Sequence, residues 1–178
     1  MKFVSLRKAS MATMLSMTLA TVAMPAVAEA ATSASISVSS TPTNLTTKSI
    51  VSNGSSHCAL LTSGRVDCWG YGNNGELGNG KFYTPGNYGS AKPVAVVSTS
   101  GSGTLSGVAS LTGNGNGYGN EGYCALLTSG RVDCWGYGRY GELGNGKFYT
   151  TSGNQGSAKP VAVVSTSGSG TLSGVKLH

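Results

Sequence analysis

The stretch CALLTSGRVDCWGYG, residues 58–72, recurs letter for letter at residues 124–138. No other feature constrains the fold as much. A copied segment means one supersecondary unit built twice, and such units bury their apolar faces against their neighbours. The copying runs further. GELGNGKFYT at Gly75–Thr84 returns at Gly141–Thr150 with the same offset of 66. SAKPVAVVSTSGSGTLSGV at Ser90–Val108 returns at Ser157–Val175 with an offset of 67, because PGNYG has become TSGNQG. These matches predict a first repeat over 48–107, a second over 108–174, and the start of a truncated third over 175–178. The Ser/Thr-rich lead-in, 31–47, reads as a flexible linker. TGNGNGYGNEG, 112–122, is a Gly/Asn-rich loop found only in the second copy.

Each unit reads as short extended segments. CALL is an apolar strand, TSG is turn chemistry, and PVAVV is β-branched with a proline suited to a strand start or edge. RVDCWG alternates Arg and Asp, expected outward, with Val and Cys inward. Past residue 30 no apolar stripe has helical spacing, so an all-β chain with essentially no helix is expected there. Only 10% of residues are charged while 28 are glycine, which suits turn-rich β structure better than a helical protein.

The hairpin can be counted out. A three-residue TSG loop with Gly64 in the left-handed region sets Leu60 opposite Val66, Ala59 opposite Asp67 and Cys58 opposite Cys68. The cysteine pair then falls on a non-hydrogen-bonded site, where Cα atoms lie about 4.5 Å apart, within reach of a disulfide. The same count pairs Cys124 with Cys134. Four buried free thiols acting as small apolar residues are the alternative. The compartment favours the disulfides. Residues 1–30 have the layout of a signal peptide: Lys2, Arg7 and Lys8, then an apolar run from Met11 to Met24, then Pro25 and small-residue cleavage sites after Ala28 or Ala30. That run is short for a bilayer span. An exported chain is expected, secreted or at the cell surface, with no membrane contact after the signal is removed.

Beyond residue 30 there are nine Lys/Arg against five Asp/Glu, a net charge of +4. The basic residues are scattered singly, so no nucleic-acid partner is expected. No catalytic set is visible either. His57 and His178 are the only histidines, and His57 beside a strand reads as structural. Asp67 and Asp133, like Glu76 and Glu142, look like paired carboxylates only because the repeat duplicates them. GYGNEG at 117–122 formally matches a dinucleotide fingerprint, but no helix follows it. GNGKF lacks the Ser/Thr of a phosphate loop. No metal or cofactor is expected, and the chain reads as a non-enzyme. Asn44 and Asn53 open glycosylation sequons.

The residues His57, Leu60, Thr62, Gly64, Val66, Trp69-Gly70, Gly75, Leu77-Gly78 and Gly80, followed by KPVAVV, resemble the repeat of the regulator of chromosome condensation family. The resemblance covers about residues 50–178. It implies β-propeller blades, about two of the seven usual in that family, each a small antiparallel sheet. It also implies that Trp69, Trp135, Leu77 and Leu143 pack the blades. The period of 66–67, Tyr123 in place of His57, and the number of repeats depart from the pattern. A bacterial-type, exported and truncated member is the expectation. The alternative is a homo-oligomer that completes a propeller ring.

Where the two copies differ, they differ in loops. Asn73-Asn74 becomes Arg139-Tyr140, and the stretch around Tyr88 is rewritten around Gln155. These six residues are the candidate partner-binding positions, since Tyr, Arg and Asn in Gly-rich loops suit adaptable recognition. An exported module that binds an unknown protein partner is the leading expectation. A surface or adhesive structural component, or a secreted inhibitor resembling the propeller-type β-lactamase inhibitor, are alternatives. The nuclear GTPase exchange role of the family does not suit an exported chain.

Overall fold

Eight strands form two four-stranded antiparallel sheets, each a simple meander. The first holds β1 (Thr47–Asn53), β2 (Ser56–Leu61), β3 (Val66–Tyr71) and β4 (Gly89–Ala95). The second holds β5 (Val108–Gly113), β6 (Gly122–Leu127), β7 (Val132–Tyr137) and β8 (Gly156–Ala162). The computed structural model describes residues 46–115 and 120–177. The signal peptide, almost all of the linker, the tip of the Gly/Asn-rich loop and His178 lie outside them. The linker expectation needs one correction. Thr47 opens β1 and pairs with Leu61, because its backbone completes the sheet edge. Among the described residues there is no helix.

Loop length sets the hairpin register. Gly64 takes φ +76° and its N–H donates to Leu61 O at 2.9 Å, closing the turn. Pairing then runs Leu60 to Val66, Ala59 to Asp67 and Cys58 to Cys68. The second copy pairs Cys124 with Cys134 in the same way. Both disulfides are formed, each across Cα atoms 4.1 Å apart.

The two sheets stack face to face, as propeller blades do. Side chains alternate across a strand, so each sheet has two distinct faces. Cys58, Leu60, Val66 and Cys68 of the first sheet face the second, and Tyr123, Ala125 and Trp135 of the second face the first. These, with Leu77, Val96, Leu105, Val108 and Leu111, form one buried cluster.

Three expectations about packing change here. Trp135 fills the space between the blades and is fully buried. Trp69 is only half-buried: it lies on the side of the first sheet that meets no described strand, against the His57 ring at 5.7 Å. Leu143 is buried within its own blade, under Gly138 and the Tyr149 ring, and lies outside the core cluster that the described residues form between the blades. Asp133 does not point to solvent. It is buried and takes the Arg131 guanidinium at 3.1 Å, which offsets the cost of burying its charge.

Candidate interaction surface

The loop after β3 supplies a knob. At Gly75 the backbone has φ +89°, and a Cβ there would lie 2.5–2.6 Å from the Ser157–Ala158 backbone of the second blade. Only glycine permits that approach. Two hydrogen bonds hold the knob in place. Gly80 N donates to Ala158 O at 2.8 Å, and Trp135 Nε1 donates to Glu76 O at 3.0 Å. An open groove of about 540 Å³ follows the same seam, with Phe82 on one blade and Phe148 and Lys159 on the other.

A polar network crosses this joint. Glu121 Oε1 accepts from Ser55 N at 2.9 Å, and Oε2 accepts from Ser56 Oγ at 3.0 Å. Ser56 Oγ also lies 2.9 Å from Tyr123 OH, which is left to donate to it. Asn53 Nδ2 donates to Gly122 O at 2.6 Å. Asn53 is therefore buried and committed, and the expectation of a glycosylation site there does not hold. Burial, aided slightly by the nearby Glu121 charge, pushes the Glu76 carboxyl up to about 7 against backbone hydrogen bonds that lower it. Its Oε2 accepts from Asn74 N at 2.8 Å, while Oε1 finds no partner among the described residues. Desolvation likewise raises the Tyr123 phenol.

The six loop positions do not converge. Asn73 and Asn74 are half-buried, and the Asn74 carbonyl lies against Gly156, beside Gln155. Asn74 thus belongs to the joint. Tyr88 is 51% exposed and stacks on Tyr71 at 6.3 Å, at the outer rim of the first blade. Arg139 and Tyr140 follow β7 of the second blade. Tyr140 is 70% exposed, with the Arg139 guanidinium 5.6 Å from its ring centre and Tyr137 at 6.1 Å.

The network residues Ser56, Glu121 and Tyr123 were not among the candidates. Their signal was present: Ser55-Ser56-His57 against Glu121-Gly122-Tyr123 is a three-residue mismatch directly before the copied segment. Mismatches next to a perfect copy mark where the two units meet different surroundings.

Residues 48–76 match the model of the regulator of chromosome condensation (RCC1) repeat. Residues 48–76 thus carry an RCC1 repeat. Its blades are similar to those of Prp20p from Saccharomyces cerevisiae, a structure described with its binding to Gsp1p and histones. The TM-score is 0.55 and the identity 17%, over 71% of this chain and 27% of that one. Yeast RCC1 (Prp20) bound to Kap60 matches at a TM-score of 0.55 and 16% identity, over 71% of this chain and 26% of that one. At such identity the likeness concerns the fold. The chain spans about a quarter of the length of the solved structures it matches.

Proposed function

We propose that this RCC1-repeat chain is an exported, non-enzymatic module for protein–protein binding. One observation carries the reading. Two loops at equivalent positions differ in sequence and in fate: Asn73-Asn74 is half-buried, with Asn74 against the second blade, while Arg139-Tyr140 is exposed as a cation–aromatic pair. Exposed Arg and Tyr on a rigid β scaffold suit a binding hot spot, because rigid aromatics give contact area at low entropic cost. The two disulfides favour an oxidising compartment.

Several groups that could do chemistry are engaged in structure. His57 Nδ1 lies 3.0 Å from Ser52 Oγ, Asp133 is paired with Arg131, and all four cysteines are bonded. The test is to replace Arg139-Tyr140 by Asn-Asn, the residues of the first copy, and compare the proteins captured from the extracellular milieu. Loss of a captured protein is the expected result. An unchanged profile would overturn the reading.

A further inference from the structure

The joint between the blades has two halves, and each half is present a second time without a described partner. The first half is the knob side of a blade. In the first blade it comprises Cys58, Leu60, Val66 and the loop Gly75–Gly80, all against the second blade. In the second blade the same letters are Cys124, Leu126, Val132 and Gly141–Gly146. There Cys124, Leu126 and Val132 are half-buried where their counterparts are at most 1% exposed. Tyr140 and Phe148 at the rim are 70% and 72% exposed.

The second half is the socket side. In the second blade it comprises Trp135 and the β8 backbone Ser157–Ala158, closed over by Gly75. In the first blade the same letters are Trp69 and Ser90–Ala91. Trp69 is half-buried and Ala91 exposed, whereas Trp135 and Ala158 are buried. A shallow groove lies over this second socket, lined by Gly70, Tyr71, Tyr88, Gly89, Ser90 and Ala91.

We infer that the occupant of each free face is a second copy of this chain, joined head to tail, with the Gly141 knob of one copy seated in the Ser90–Ala91 socket of the next. This names a partner for the binding-module reading and rests on it only in that sense. The molecule already makes such a joint once, between a knob and a socket spelled GELGNG and SAKPVA in both copies. Trp69 Nε1 of one copy takes Glu142 O of the other, as Trp135 takes Glu76 O. Tyr140, where the internal knob has Asn74, reaches the Tyr71–Tyr88 rim.

The joint between copies also lacks something. His57 stands where Tyr123 does, and Ser55 where Glu121 does, so the Glu121–Ser56–Tyr123 network is not rebuilt. Association between copies is therefore weaker than packing within a copy, and reversible. It is also heterologous, with a different face on each partner, so it closes into rings or runs on as a chain of copies.

The test uses the whole chain, 17.9 kDa, with its disulfides formed. Sedimentation equilibrium is run over a wide concentration range. The expected result is a mass that rises with concentration. Ala91→Arg blocks the socket and Gly141→Asn blocks the knob; asparagine tolerates positive φ, so the turn survives. Each variant is expected to weaken self-association by about 100-fold, as loss of a central contact does. Mixed, they retain one good knob and one good socket, and a 1:1 dimer that grows no further is expected. Should Gly141→Asn lower the melting temperature, Tyr140→Glu blocks the same face from an exposed ring. A parent chain that stays monomeric at every concentration overturns the inference. So do variants that associate as well as the parent, or a mixture that stays monomeric. A monomer that still loses a captured protein on the Arg139-Tyr140 replacement separates this failure from that of the binding-module reading.

Discussion

Gly75–Gly80 and Gly141–Gly146 have the same six letters, the same turn and the same internal hydrogen bond. Glu76 Oε2 accepts from Asn74 N at 2.8 Å, and Glu142 Oε2 accepts from Tyr140 N at 2.8 Å. Their surroundings differ completely. Glu76 is buried under the second blade, and Glu142 is exposed. The local conformation of the loop thus belongs to its own residues. Its burial and the ionisation of its carboxylate belong to the neighbour. The same contrast holds between Trp135 and Trp69, and each pair is an internal control for the other.

The largest separation is expected at the tryptophans. Trp135→Ala should cost about 3–5 kcal/mol, the usual range for a large buried aromatic, and it also leaves Glu76 O without its donor. Trp69→Ala, half-buried, should cost about 1–2 kcal/mol. Urea midpoints measure both, and equal losses would show that the blades do not depend on their joint. The next separation is at the knobs. Gly75→Ala meets both the positive φ and the Ala158 backbone, and should cost about 3 kcal/mol or more. Gly141→Ala meets only the backbone strain and a movable Phe148 ring at 3.3 Å, so about 1 kcal/mol is expected.

The disulfides should cost the same to remove, about 2–3 kcal/mol each, because both close rings of equal length. They should not reduce at the same rate. Cys58 and Cys68 are wholly buried in the joint, while Cys124 is half-buried. Limited reduction followed by thiol labelling and peptide mapping should therefore find Cys124–Cys134 opened first. Labelling of both at one rate would mean that the joint opens before either bond is attacked.

The last contrast is the pH dependence. Glu76 holds its proton up to about 7 in the folded chain and loses it near the ordinary value of 4.5 once unfolded. Folded molecules then bind more protons than unfolded ones between those values. Stability from this group is full below about 4.5 and falls as pH rises to about 7, by at most about 3 kcal/mol. Glu76→Gln should flatten that slope. Denaturation midpoints at pH 4.5 and pH 7.5 for the parent and the variant decide this, with an unaltered slope in Glu76→Gln as the contrary result.

Much of the blade was legible in advance. Leu61 to Arg65 is a short loop with a glycine at its end, and a loop of that length admits one register, which brings Cys58 to Cys68. The repeat then carried the pairing to Cys124 and Cys134 without further assumption. Packing between blades was legible only in type. A tryptophan suits that role, but nothing in the letters of WGYG distinguishes Trp69 from Trp135. The polar joint was harder still. Asn53, Ser56, Glu121 and Tyr123 lie in unlike segments about 65–69 positions apart, and they hydrogen bond only because two finished sheets bring them together.

The sequence by itself determined the blade: strand alternation, turn glycines and hairpin length are local, and they act alike on both copies. Tertiary structure alone decided what each identical copy became. Burial, desolvation and cross-blade hydrogen bonds depend on which surface lies opposite. That is why one GELGNG is a sealed joint with an unusually basic carboxylate, and the other is an exposed knob.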